Sequence, residues 1–232
     1  MTTILYATDI HGDKEMIDRL VDMGKHEGID AVIIGGDISP GFDVFRQRMF
    51  AEFYLVPKLS ELKEYGTEVF VQMGNDDFGV NMDILHEAEK AGKLKVTHMK
   101  RHSLGSFSIV GYSCVNPYPF IFKEWERKES EIKKDLEELK KGTDPRNTIF
   151  VFHAPPHNTK LDVMYTKENM GSKSIREFIE KEQPLLTLHG HIHESPEITG
   201  TIHDRIGDTL AVNPGRGRIA LIDLEKMTAE PV

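Results

Sequence analysis

Residues 1–12 read MTTILYATDIHG, and the reading of this opening decides the fold. Residues 4–8 are an apolar stretch that reads as a buried strand. The strand runs directly into Asp9-Ile10-His11, and helical periodicity follows over residues 14–26, with Met16, Ile17, Leu20, Val21 and Met23 on its apolar face. Residues 31–34 repeat the strand and close on Gly35-Gly36-Asp37. Residues 68–73 repeat it again and close on Gly74-Asn75. Helical stretches separate these strands. One spans residues 42–65 and carries Pro57, which predicts a kink or break there. Another spans residues 82–91 and stops at Gly92.

Beyond residue 92 the chain is mainly β. Strands are expected at residues 94–97, 107–112, 148–153, 185–188, 198–203, 209–212 and 218–224. Two helices interrupt them. Residues 124–141 form a highly charged helix with a thin stripe of Ile132, Leu136 and Leu139, and Ser172 caps a helix over residues 173–181. A βαβαβα half followed by a β-rich half predicts a mixed α/β fold, two sheets packed together with helices outside. We read residues 1–232 as one domain with a charged helical insertion around residues 116–145. The simplest role for that helix is a solvated surface. A sharper one is a cap over a site or a dimer contact, made with Trp125 and the Pro-Tyr-Pro-Phe segment that precedes it.

Composition narrows the function. Charged residues are 29% and hydrophobic residues 39% of 232, the profile of a soluble globular chain. The formal charge of -9 argues against a grip on long nucleic acid through its phosphates. One cysteine, Cys114, excludes an intrachain disulfide. The N-terminus shows no leader pattern and no stretch is apolar enough to span a bilayer, so the expectation is a cytoplasmic protein with no membrane partner.

The chemistry lies in where the polar residues fall. Asp9, His11, Asp37, Asn75, His153, His191 and His193 each follow a predicted strand, where ligands gather in open α/β sheets. Imidazole, carboxylate and amide oxygen suit Mn, Fe, Zn, Co or Ni. Seven donors are too many for one tetrahedral ion and fit two divalent ions. Asp37 is the natural bridge, since a carboxylate offers two oxygens. Taken alone, Gly-Gly-Asp is an ordinary turn and His153 an ordinary core histidine. The set in this order is far more specific.

These motifs (Asp9-x-His11, Gly36-Asp37, Gly74-Asn75-Asp76-Asp77, His153 and Gly190-His191-x-His193) resemble those of the calcineurin-like metallophosphoesterase superfamily. Asn213-Pro214-Gly215 resembles a turn of its smaller bacterial and archaeal members. The resemblance implies a four-layer α/β/β/α sandwich of two mixed sheets. It also implies one ion on Asp9, His11, Asp37 and His193 and a second on Asp37, Asn75, His153 and His191. The implied chemistry is hydrolysis of phosphomonoesters or phosphodiesters by attack of a metal-bridging hydroxide, with Asn75 also contacting a phosphoryl oxygen. The chain departs from the family at Asp76, where many members carry a histidine that acts on the leaving oxygen. A carboxylate there is either a protonated acid or a bystander turned away. Asp77 is expected to orient its neighbours, and His157 to face the substrate or the solvent. The expected partner is a small phosphorylated substrate, with a homo-oligomer left open. The rival readings are a nuclease of the same superfamily and a non-catalytic metal-binding scaffold, the latter disfavoured because none of the seven donors is missing.

Overall fold

The structure is a computed structural model that describes residues 2–117 and 123–232. In chain order the first half contains β1 (Thr3–Ala7), α1 (Lys14–Gly24), β2 (Ala31–Ile34), α2 (Val44–Phe50), α3 (Val56–Ser60), β3 (Glu68–Val71), α4 (Met82–Lys90) and β4 (Lys95–Val96). Then come β5 (Arg101–Leu104), β6 (Phe107–Tyr112), α5 (Glu129–Leu139), β7 (Thr148–Phe152), α6 (Lys173–Glu182) and β8 (Leu186–Leu188). The last elements are α7 (Ser195–Thr199), β9 (His203–Ile206), β10 (Thr209–Val212), β11 (Ala220–Asp223) and β12 (Thr228–Pro231).

The strands form two mixed six-stranded sheets, ordered β12-β11-β1-β2-β3-β4 and β5-β6-β7-β8-β10-β9. In the first, β1 to β4 run parallel and β11 and β12 close the edge antiparallel. In the second, β6, β7, β8 and β10 are parallel between antiparallel edges β5 and β9.

Side-chain alternation along the strands assigns the layers. Ile4, Tyr6, Ile33 and Phe70 turn inward and meet Ile109, Ile149, Val151, Leu188 and Leu210 between the sheets. Their neighbours Leu5, Val32, Ile34 and Val71 turn the other way and pack on Ile17 and Leu20 of α1, Leu59 of α3 and Leu85 of α4. On the far side, Val110, Phe150 and Phe152 pack on Ile132, Leu136 and Leu139 of α5 and on Ile175, Phe178 and Ile179 of α6. Each such fully buried side chain contributes about 1.5–3 kcal/mol. The layers are α/β/β/α, as expected.

The helix ends follow local chemistry. Asp13 accepts from the Met16 amide at 3.1 Å to start α1, and Ser172 accepts from the Ile175 amide at 3.2 Å to start α6. The break foreseen near Pro57 is a widened π-helical turn at Ala51–Leu55. Proline has no amide hydrogen to donate and its ring crowds the turn before it, which the wider turn relieves.

Two expectations need correction. Residues 198–203 do not form a strand. Ser195-Pro196-Glu197 opens the short helix α7, which ends at Gly200 with φ +73, and the strand starts only at His203. The charged helix starts at Glu129, not at residue 124, and its stripe of Ile132, Leu136 and Leu139 packs on α6, Phe150 and Phe152 as part of the outer layer. Trp125 is half-buried, with its ring edge-on to His98 at 5.0 Å. Residues 118–120 of the Pro-Tyr-Pro-Phe segment lie outside the described residues. Among the described residues no helix is long and apolar enough to cross a membrane.

Candidate metal centre

The parallel strands β1, β2 and β3 of one sheet and β7 and β8 of the other release their chains at one end of the sandwich. Asp9 follows β1, Asp37 follows β2, Asn75 follows β3, His153 follows β7, and His191 and His193 follow β8. The backbone bends sharply here. Asp9, His11, Asp37 and His191 all adopt the left-handed region, with φ of 52, 48, 48 and 64°. Non-glycine residues pay about 1–3 kcal/mol each for this, and such strain collects at functional sites. Backbone bonds over-determine the geometry: the Asp9 amide donates to Gly36 O at 3.0 Å, the His11 amide to Asp37 O at 2.9 Å and the Gly190 amide to His153 O at 2.9 Å. Gly36 is needed for space as well as for its φ of +116, since a Cβ there would meet His153 Nδ1 at 2.6 Å and Gly74 Cα at 2.9 Å.

Donor atoms converge in two trios that share Asp37. Asp9, His11 and Asp37 each bring one atom within 4.8 Å of the others, as do Asp37, His153 and His191. Asn75 joins the second group, its Oδ1 3.2 Å from His153 Nε2. His193 belongs to neither trio and stands at the rim, edge-on to His11 with ring centroids 6.0 Å apart. His153 Nδ1 donates to Gly35 O at 2.9 Å, which fixes the proton on Nδ1 and turns Nε2 toward Asp37 Oδ2 at 3.3 Å.

The electrostatics favour a cation. Asp9 and Asp37 are buried, and the His191 amide donates to the Asp9 carboxylate, 3.1 Å from either oxygen. Burial pushes the Asp9 carboxyl up, with His153 opposing and Asp37 adding to the rise. Burial alone would depress His153, yet Asp37 beside it raises this imidazole to about 9, so the pocket holds positive charge tightly. His191 is pushed down to about 3 by burial and by His153, leaving it neutral with a free lone pair. Buried carboxylates with oriented neutral imidazole nitrogen are the donor set of a first-row divalent ion.

The other expected residues take definite places. Asp77 is buried, and its carboxylate accepts from the amides of Ser39 at 2.9 Å, Gly74 at 2.9 Å and Ile38 at 3.1 Å, tying the loop after β2 to the loop after β3. Asp76 shows an arrangement the sequence did not suggest. Its carboxylate pairs with the Lys123 ammonium and accepts from Asn75 Nδ2 at 2.8 Å, while its amide donates to Asp37 Oδ1 at 2.7 Å. His157 sits beside Asp162, Nδ1 to Oδ2 3.5 Å. His189 is buried against Ala154 O and Thr187 Oγ1, each at 2.9 Å. Arg216 is exposed and Arg218 lies 3.9 Å from Glu197.

A cleft of about 410 Å³ opens beside the trios, lined among others by Asn75, Asn116, Lys123, Tyr165, His191 and His193. A larger cavity of about 500 Å³ lies at the opposite ends of the strands, around Glu68, Val69 and Lys95, and holds none of the expected ligands. Lys123, Asn116 and Tyr165 escaped sequence reasoning. Each comes from a loop, and a lysine beside a run of charged residues reads as solvent-facing.

A family model described as calcineurin-like phosphoesterase matches residues 2–195. An uncharacterized protein of Methanocaldococcus jannaschii is 31% identical over 231 residues, covering 96% of this chain and 92% of that protein. A crystal structure from Thermus thermophilus is similar with a TM-score of 0.76 at 20% identity, covering 99% of this chain and 97% of that one. A dimetal phosphatase from Danio rerio gives 0.58 at 11% identity, with 95% of each chain covered. The two structural likenesses bear on the fold.

Proposed function

The chain belongs to the calcineurin-like phosphoesterase family and is a metal-dependent phosphoric ester hydrolase, and on that premise we propose that it hydrolyses small phosphomonoesters or phosphodiesters at a centre of two divalent ions. The observation that supports the pair is the place of Asp37 in both donor trios. One ion would be held by Asp9, His11, Asp37 and His193, the other by Asp37, Asn75, His153 and His191. Ions bound there would lower the pKa of a water and stabilise charge on the phosphoryl oxygens, with Mn, Fe, Zn, Co and Ni all compatible.

The chain's own groups have separate tasks. Asp37 offers its carboxylate to both trios. His153 presents Nε2 because its Nδ1 is committed to Gly35 O. Asn75 can present its Oδ1 to an ion while an Nδ2 hydrogen reaches a phosphoryl oxygen as charge builds there. Asp77 holds the loops that carry Asp37 and Asn75. The cleft beside Asn75 and His191 takes the ester group, and its volume suits a small molecule.

The test is a panel of aryl and alkyl mono- and diesters against the metal-free protein reloaded with each ion. Turnover that appears with metal, disappears with chelator and is lost in Asp37→Asn supports the reading. Absence of turnover with every ion, in protein shown to have bound two, removes it in favour of a metal-binding scaffold.

A further inference from the structure

We propose that Lys123 is the substrate-binding cation of this centre and that Asp76 serves as its anchor, an inference that rests on the phosphoesterase reading and names the residue that selects among its substrates. An ordinary lysine on this surface would sample many rotamers in water. Lys123 is instead held from several directions. Its ammonium pairs with Asp76, the neighbour of Asn75. It also lies over the Phe42 ring, 5.2 Å from the centroid.

Residues 124–127, which follow it, are fixed by hydrogen bonds. Trp125 Nε1 donates to Asp77 O at 2.9 Å, Glu124 accepts from the Gly79 amide at 3.0 Å, and the amides of Val115 and Arg127 close a ladder with Trp125 O and Val115 O at 2.9 Å each. Lys123 is thereby tied to the same 75–79 turn that carries Asn75. It remains 36% exposed and forms the cleft wall with Asn75, His191 and His193. Apart from histidine, it is the cationic side chain among the residues lining that cleft.

This arrangement accounts for a carboxylate at position 76. An acid beside an incoming phosphate is unfavourable when bare, but paired with Lys123 it contributes no net charge and orients a donor. An ammonium has three hydrogens, so one can stay on Asp76 while another meets a phosphoryl oxygen. The benefit grows with the negative charge on the phosphoryl group. A phosphomonoester above its second pKa of about 6 is largely dianionic, whereas a diester carries a single charge. Lys123 should therefore favour monoesters.

The experiment compares p-nitrophenyl phosphate with bis-p-nitrophenyl phosphate at pH 8 on metal-loaded wild type, Lys123→Met, Lys123→Arg and the double variant Lys123→Met/Asp76→Asn, each checked for metal content and melting temperature. Lys123→Met should raise KM for the monoester about tenfold or more, the scale of a lost charge-assisted hydrogen bond, and for the diester less than about threefold. Lys123→Arg should restore most of the difference. The double variant should stay impaired on the monoester, because removing the unpaired acid does not replace the lost donor. Calorimetric binding of inorganic phosphate to the metal-loaded proteins should show the same loss in Lys123→Met. That arm reads Lys123 even if neither ester is turned over, an outcome that would count against the proposed activity alone. Equal effects on both esters, full recovery in the double variant or unchanged phosphate binding would each overturn the proposal.

Discussion

Replacing Asp77 tests whether the centre is built by tying two loops together. Its carboxylate is buried and takes three backbone amides, from Ser39, Gly74 and Ile38, at 2.9–3.1 Å. Hydrogen bonds to a charged acceptor contribute about 1.5–3 kcal/mol each, and buried amides left unpaired cost about as much. Against this stands the cost of burying the charge near Asp37, and both push the Asp77 carboxyl up. The balance for Asp77→Ala is a loss of about 3 kcal/mol. In a domain of this size that lowers the melting temperature by roughly 6–12 °C. Asp77→Asn keeps one acceptor and turns an amide donor toward at least one backbone N–H, so about half that loss is expected. Because Asp37 and Asn75 sit on the two tied loops, metal affinity should fall about 10–100-fold in either variant. Unfolding is measured with chelator present, so that fold and metal binding are read separately, and affinity by competition with a chromogenic chelator. Stability within about 0.5 kcal/mol of wild type together with unchanged affinity would show that Asp77 does not tie the two loops.

Three further outcomes follow from single contacts. Asn75→Ala, reloaded to the wild-type metal content, should lower kcat on an aryl phosphate about 10²–10³-fold, the scale of a lost oxyanion donor, and a drop below threefold would remove Asn75 from the reaction. His98 is pushed down to about 4 by burial, with Asp135 opposing and Arg127 adding to the shift. The unfolded chain therefore binds more protons between about pH 6.5 and 4, and stability falls as pH drops through that window, by at most about 3 kcal/mol. His98→Gln should flatten this acid limb in urea titrations, and an unchanged limb would assign it to other groups. Leu136→Ala in the stripe of α5 should cost about 2–5 kcal/mol by chemical denaturation, whereas a solvated helix would give almost none.

The sequence carried the site further than the edges of the fold. The candidate ligands Asp9, His11, Asp37, Asn75, His153, His191 and His193 stand out in the sequence because buried parallel strands are near-continuous apolar runs, and the residue after each run is conspicuous. The edge strands were not. Arg101–Leu104 reads Arg-His-Ser-Leu and Thr228–Pro231 reads Thr-Ala-Glu-Pro, because one side of an edge strand faces water and tolerates charge and proline. Residues 198–203 misled because Ile and Thr suggest a strand, while Pro196 and Gly200 mark the start and stop of a short helix. The strained backbone at four metal-ligand candidates leaves no sequence signal beyond the adjacent glycines. Lys123 was hidden because its meaning comes from a contact with Asp76, 47 residues away in sequence.

Metal stoichiometry decides whether two ions share Asp37. Chelator-stripped protein is reloaded with Mn or Zn, freed of excess ion and analysed for metal per chain by inductively coupled plasma mass spectrometry. Two ions per chain are predicted for wild type, about one for His193→Ala and fewer than one for Asp37→Ala, whose carboxylate touches both donor trios. A wild-type value of one or less, or an Asp37→Ala value equal to that of wild type, would contradict a centre of two ions sharing that aspartate.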